Sequence, residues 1–475
     1  MQTFNEYLTY TNNIMWTYIG IPMLVLAAIY FTIRMKGMQF RLLPDMFRIM
    51  VGLDNKRERK TKIIVHTSNG KKTISSFEAF AVALSSRVGT GNLAGVASAI
   101  YMGGPGAIFW MWIMALLGSA TAYVESSLAQ LYKRKGEDGY YGGPAYYMIS
   151  GLGRRWMAML FAFLIIITFG MANQTTQSNT LCDALSSAFS VEKWIVGIIL
   201  TIATISIIYG GIHRISRFSS IVVPFMAIGY LIIAIIVIAL NYRDIPNVFC
   251  DIFESAFGIR QAAGGMVGAA IMNGVKRGLF SNEAGEGSAP NAAAIAHTSH
   301  PAKQGLLQSL GVFTDTLVIC TCTAFVILLS GLYDNGLDGI LLTKQALVSE
   351  LGPAGGWFLT AAIFLFAYST IIANYFYGEN NIRFLAPDSK KWLNVYRVAG
   401  CSTILAGGFI TLQTAWGFVD IAMCMMTICN LAAVIQLSPK AFRLLTHYEN
   451  EKRKGRNPVF RRKDMPETNN IECWE

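Results

Sequence analysis

The stretch Ala83-Leu-Ser-Ser-Arg-Val-Gly-Thr-Gly-Asn-Leu-Ala-Gly-Val-Ala-Ser-Ala-Ile100 decides how the chain is read, because it is an apolar segment interrupted in its middle. Its flanks suit a membrane helix. At its centre stand Gly89, Gly91 and Asn92, with Ser85, Ser86 and Thr90 beside them, where helix propensity is poorest. In hydrocarbon, unwound backbone is tolerated only where it is buried in protein or lines a cavity, since each unsatisfied N–H or C=O costs several kcal/mol. The break therefore marks a site.

Working outward, the composition fits a membrane setting. The 475 residues are 53% hydrophobic and 14% charged, against roughly 25% charged for a soluble domain, and the mean hydropathy is +0.43. This is a polytopic membrane protein with the lipid bilayer as its solvent. The net charge of +11 lies in short basic runs between apolar segments, with no aromatic-interleaved patch, so no nucleic-acid partner is expected. Most of the eight cysteines fall inside apolar spans without histidines at metal spacing, which disfavours a disulfide scaffold or a zinc site. No cationic leader precedes the first apolar run, which reads as a retained helix.

Crossing the hydrocarbon core takes about 20 apolar residues. Runs of that kind lie near 14–34, 75–101, 105–131, 156–182, 193–211, 218–241, 263–295, 305–331, 354–378, 395–413 and 415–437. That makes eleven spans. Basic residues concentrate in cytoplasmic loops. Placing the N-terminus outside puts the 34–72 loop, Lys133-Arg-Lys135, Arg154-Arg155, Arg214, Arg217, Lys390-Lys391 and the Lys452 to Lys463 tail on one side. Only Lys193, Arg243, Arg260 and Lys344 fall on the other. The expectation is a multi-pass protein of the plasma (inner) membrane with a cytoplasmic C-terminus. Residues beyond Ser438 are polar and read as a solvated, partly disordered basic tail, 438–475.

Residues 1–74 then form a peripheral helix and a basic loop, followed by two blocks of five spans, 75–242 and 243–437. Five is odd, so the blocks have opposite orientation. A second interruption sits in the first span of the second block, where Asn273-Gly274 breaks an apolar run and Gly278, Gly285, Gly287 and Pro290 follow. Paired interrupted helices in inverted halves point to a transporter binding site at the bilayer midplane. Half-helix N-termini suit a carboxylate, and unwound carbonyls suit a cation. A small zwitterion travelling with an ion satisfies both.

Several stretches carry a resemblance to a known family. They are Gly89-Thr-Gly-Asn-Leu-Ala-Gly-Val-Ala97, Arg277-Gly-Leu-Phe-Ser-Asn-Glu-Ala-Gly285 with Gly287-Ser-Ala-Pro290, His300-Pro-Ala-Lys-Gln-Gly305, and Phe366-Ala-Tyr-Ser-Thr370 followed by Tyr377-Gly-Glu379. From about Gln39 to the last core helix the chain resembles the alanine or glycine:cation symporters, also called the sodium:alanine symporter family. The resemblance implies an all-α LeuT-type 5+5 inverted repeat with one extra N-terminal helix. It also implies a sodium-coupled symporter that imports small neutral amino acids and is not an enzyme. Alternatives from other classes are a non-transporting membrane amino-acid receptor and a proton-coupled carrier of the same substrates.

The resemblance also suggests roles. Backbone at Thr90 and Gly91 would meet the substrate carboxylate, with Asn92, Gln177, Asn273, Gly274 and Asn374 completing the substrate site. The plain alternative for the glycines is close helix packing. Gly89-Thr-Gly-Asn-Leu-Ala94 also matches a dinucleotide fingerprint, but lacks the preceding strand and the acidic residue about 20 positions on. Sodium, the coupling ion, would lie between Ser85 and Val88 on one helix and Phe366, Ser369 and Thr370 on another. The alternative for Ser369 and Thr370 is hydroxyl bonding to their own helix. In Asn173-Gln-Thr-Thr-Gln-Ser-Asn-Thr180, either Gln174 or Gln177 could line the pocket, and Gln177 is chosen. Many alanine or glycine carriers have tryptophan where this chain has Asn374. A short amide there enlarges and polarises the pocket, favouring glutamine, with serine and asparagine still open. Arg87, Glu125 and Asp315 lie in apolar context and are expected to face a partner or a cavity. Glu125 and Asp315 are candidate counter-ions for Arg87.

Overall fold

A computed structural model describes residues 10–53, 73–136, 139–258, 264–387, 389–409 and 412–474. Most of the basic loop, including Lys56 to Lys72, and Arg260 lie outside the described residues. The principal helices are α1 (Tyr10–Arg34), α2 (Ser76–Arg87), α3 (Val96–Gly103), α4 (Gly106–Leu131), α5 (Arg155–Phe189), α6 (Lys193–Ile208), α7 (Gly211–Leu240), α8 (Gly264–Asn282), α9 (Ala289–Ala294), α10 (Pro301–Leu329), α11 (Pro353–Leu385), α12 (Lys390–Ala406) and α13 (Leu412–Arg453). Among the described residues, seven stretches are long and apolar enough to cross a membrane: α1, α4, α5, α7, α10, α11 and Val419–Arg453 of α13. The sheet content among the described residues is one hairpin, β1 (Arg134–Gly136) with β2 (Gly139–Tyr141), paired antiparallel.

Burial sorts the helices. The outward faces of α6 and α7 carry exposed Ile198, Ile199, Ile202, Ile221, Phe225 and Ile228, the apolar exposure expected of surfaces that meet lipid. By contrast, α2, α4, the α8 end, α10 and α11 form an interior rich in buried polar side chains. A capping box starts α2: Ser75 Oγ accepts from Glu78 N–H, and the Glu78 carboxylate accepts from Ser75 N–H. The helix stops at Val88, whose ψ of 86° is not helical, and a π-helical turn, Gly91–Gly95, leads into α3. The first break therefore falls where the glycines and Asn92 put it.

The second break does not fall at Asn273-Gly274. There α8 is continuous, Asn273 Nδ2 donates to Ala269 O in its own helix, and a Cβ on Gly274 would lie 2.4 Å from Ala107 O. Gly274 thus permits close crossing of α8 and α4, the small-residue packing that was its alternative reading. Instead, the chain unwinds between α8 and α9. Glu283, Gly285 and Gly287 have φ of 55°, 91° and 83°, a left-handed region that glycine enters at little cost.

The tail also departs from expectation. Helix α13 continues past Ser438 to Arg453, and the following chain packs back onto the bundle. Phe460 N–H donates to Ser299 O, and Trp474 Nε1 donates to Gln130 O. Phe460, Met465, Ile471 and Trp474 are all buried. These four anchors are spread through a polar sequence, so composition hides them. The Trp474 ring also covers Lys133, whose Nζ lies 4.6 Å from that ring, 4.2 Å from the Tyr140 ring and 2.9 Å from Ala296 O. Burial pushes the Lys133 ammonium down to about 7, while the two ring faces favour its charge.

Beneath the tail, His300 Nδ1 accepts from Ala302 N–H, and its Nε2 lies 3.0 Å from His447 Nδ1. Burial, with His447 and Lys303 nearby, holds His300 well below the usual imidazole range. The docked state thus binds the His300 proton less well than the undocked state. The His300 contribution to docking is complete above about pH 6.5 and is lost as pH falls below it. Limited proteolysis should show faster tail cleavage as pH drops through 6. Trp474→Ala should expose the tail even at pH 8, at a cost of about 3–5 kcal/mol.

Candidate functional site

The first break leaves backbone groups that neighbouring side chains satisfy. Gly89 N–H donates to Asn92 Oδ1 at 2.9 Å, and Thr90 N–H donates to Gln177 Oε1 at 3.0 Å. Gln177 Nε2 in turn donates to Asn173 Oδ1, one turn earlier on the same face of α5. Gln174 points elsewhere on α5, with its Oε1 beside Gly400 of α12. The backbone donor at Thr90 is thus held by a side-chain oxygen, the type of acceptor that a carboxylate would replace. Thr90 Oγ1 is buried without a partner among the described residues.

On the other side of Gly89, α11 supplies hydroxyls. Thr370 Oγ1 lies 2.9 Å from Ser85 O, 3.3 Å from Val88 O and 3.0 Å from Phe366 O. Ser369 Oγ lies 2.9 Å from Phe366 O, and Ser85 Oγ donates to Ser369 O. All five residues expected around the ion therefore meet. Both hydroxyls do bond to Phe366 of their own helix, as the bland reading required, yet Thr370 also reaches across to the freed carbonyls of α2. With one proton on Thr370, at most one of those three carbonyls can receive it fully. The cluster is rich in oxygen acceptors and contains no charged side chain, which suits a monovalent cation.

Asn92 is committed locally: besides holding Gly89, its Nδ2 donates to Asp315 Oδ1 at 2.6 Å. Ser281 Oγ and Thr316 Oγ1 both donate to Asp315 Oδ2. One buried carboxylate on α10 thus ties the first break to the end of α8. It does not pair with Arg87, and neither does Glu125. Arg87 Nη1 donates to Gln308 O and Oε1 on α10 instead. Glu125 accepts from Gly285 N–H and Asn430 Nδ2.

Among the described residues of α8, Phe280 and Ser281 face the first break. A Cβ on Gly91 would lie 2.9 Å from Phe280 Cδ1 and 3.4 Å from Ser281 Cα. Asn273 and Gly274, about two turns earlier on α8, are not brought to this place. The Arg277 to Gly285 motif contained the right residues, but the weaker helix former within the apolar run drew the choice. Asn374, one turn beyond Thr370, points inward: its Oδ1 is 2.7 Å from Ser86 Oγ, and its Nδ2 is buried with no partner among the described residues.

The description "Sodium:alanine symporter family" matches residues 1–462. The chain belongs to the sodium:alanine symporter family. It is a multi-pass membrane transporter of amino acids, and its family members are symporters, not enzymes. The chain is 47% identical over 464 residues to the "Probable sodium/glutamine symporter GlnT" of Bacillus subtilis, covering 98% of this chain and 94% of that protein. It is 45% identical to the "Amino-acid carrier protein AlsT" of the same organism, covering 99% and 98%. Among solved structures, MhsT in complex with L-phenylalanine superposes with a TM-score of 0.52 at 12% identity, over 86% of this chain and 94% of that one. That likeness shows the fold, the LeuT type.

Gly89 is wedged between the Thr370 oxygen cluster and the Thr90–Gln177 contact. A Cβ there would lie 2.5 Å from Thr370 Oγ1 and 3.0 Å from Gln177 Oε1. Gly89→Ala should therefore cost about 1–3 kcal/mol of overpacking. It should weaken sodium and cargo binding together, read as parallel losses of thermal stabilisation by each ligand.

Proposed function

We propose that this symporter imports small neutral amino acids with sodium by alternating access, and that glutamine is its preferred cargo. The convergence of Ser85, Val88, Phe366, Ser369 and Thr370 oxygens beside the Thr90–Gln177 contact supports this reading most directly. Sodium occupies the oxygen cluster. The cargo carboxylate takes the N–H groups at Thr90 and Gly91, displacing Gln177 Oε1. Freed from Thr90, the Gln177 amide turns to the cargo, while Phe280 and Ser281 close the opposite wall.

Asn374 carries the substrate assignment. Its buried amide has one end at Ser86 Oγ and the other without a partner among the described residues, so it can hydrogen-bond a side-chain amide of the cargo, and a site built to hydrogen-bond a polar group rejects cargo that lacks it. The name of the 47% identical relative agrees with that chemistry. The chain is arranged as eleven spans, with 75–242 and 243–437 as inverted five-span blocks, the N-terminus outside the plasma (inner) membrane and the C-terminus in the cytoplasm. The contacts of the tail with Lys133 and Ser299 support this orientation, since they bring three basic or cytoplasm-assigned segments to one end.

In proteoliposomes of the full chain, labelled glutamine should accumulate under an inward sodium gradient and fail to do so with potassium. Accumulation of alanine but not glutamine removes the Asn374 assignment, and accumulation of neither removes the symport reading. Asn374→Trp should lower glutamine uptake relative to alanine by about 10–200-fold, the range set by pocket shape.

A further inference from the structure

Away from the cation cluster and the cargo contacts, the turn between α8 and α9 encloses charges that neither uses. Glu283 accepts from Ser86 Oγ on α2 and from Ser288 Oγ. Gly285 N–H donates to Glu125 on α4, and Gly285 O accepts from Asn430 Nδ2 on α13. Three helices therefore pin the turn. In its middle sits Glu286, fully buried, with both carboxylate oxygens lacking a hydrogen-bond or ion-pair partner among the described residues.

The surrounding charges do not supply the missing partner. Arg87 of α2 and Glu283, Glu125 and Asp420 act on Glu286 through space, but Asp420 is paired with Arg277. Arg87 makes its contacts with Gln308, leaving Nε and Nη2 unpartnered. On α11 the Tyr377 hydroxyl is likewise buried without a partner, and Tyr147 is engaged by Asn430. The charge of Arg87 acts through space on Glu125, Glu283 and Glu286 alike, without an ion pair to any of them among the described residues. Three ionised carboxylates against one cation in a dry interior, one of them without a single donor, is an arrangement that burial strongly disfavours.

We propose that Glu286 is a proton-binding site that locks the turn between α8 and α9 shut, and that the proton leaves when water enters from the end covered by the tail. On opening, the O–H bond of the neutral acid breaks, water takes the proton, and the carboxylate becomes solvated. Closure reverses this step. Because the proton is exchanged on one side only, it gates the pathway and is not carried across. Acid on the tail side holds the gate closed, and alkali there favours opening. The gating role rests on the transport reading above, whereas the protonation of Glu286 does not.

Infrared spectroscopy of the full chain in lipid nanodiscs at pH 7 tests the protonation alone. A neutral carboxyl stretching band should be present and should lose intensity in Glu286→Gln. A spectrum that the substitution leaves unchanged overturns the proposal. Where Glu286→Gln does not fold, Glu286→Asp keeps the acid and should shift that band, and an unshifted band is equally fatal. Sodium-driven glutamine uptake is then followed while the tail-side pH rises from 6.5 to 8.5, above the range in which His300 gains its proton. Wild-type uptake should accelerate by at most about tenfold per pH unit, the limit for one linked proton. Glu286→Gln should flatten that response, and a wild-type pH profile in the variant overturns the gate.

Discussion

An interrupted helix inside a membrane has to find partners for the backbone groups it releases, and the whole interior is arranged around that requirement. The Gly89 and Thr90 N–H groups go to Asn92 and Gln177, while the Val88 carbonyl faces Thr370. Each partner comes from a different element. Gln177 belongs to α5 and Thr370 to α11, and Asn92 is itself fixed by Asp315 of α10. The break is therefore held by three helices, which explains why so many buried polar residues collect in an otherwise apolar protein.

The turn between α8 and α9 meets the same requirement by another route. Its backbone takes left-handed values at Glu283, Gly285 and Gly287, and carboxylates and an asparagine from outside hold it. The first break presents backbone groups to oxygens that could be exchanged for a ligand. The second presents acids. The two interruptions are thus similar in topology and different in chemistry.

How much of this could be read from the sequence depends on what each residue signals locally. Gly89 and Gly91 next to Asn92 cluster three poor helix formers in one apolar run, so the position of the first break was legible. Asn273-Gly274 gives the same local signal, but there the glycine serves a helix crossing, and only the approach of Ala107 distinguishes the two. The oxygen cluster was reachable through family resemblance, because Ser369 and Thr370 sit in a recognisable motif. Asp315 and the pairing of Arg87 were not, since α10 contacts α2 and α8 only through the three-dimensional fold. The tail escaped for a different reason: Phe460, Met465, Ile471 and Trp474 lie too far apart to show any period.

The position of Gly89 between Thr370 and Gln177 has a pharmacological consequence. In the proposed arrangement the ion and cargo contacts meet at one glycine with no room for a methyl group, and any linkage between them is reciprocal: whatever factor the ion adds to cargo affinity, the cargo adds to ion affinity. A competitive blocker shaped for the amino-acid pocket would inherit that dependence. Its measured potency would follow the salt in the assay medium, and ranking a compound series would require one fixed ionic composition throughout.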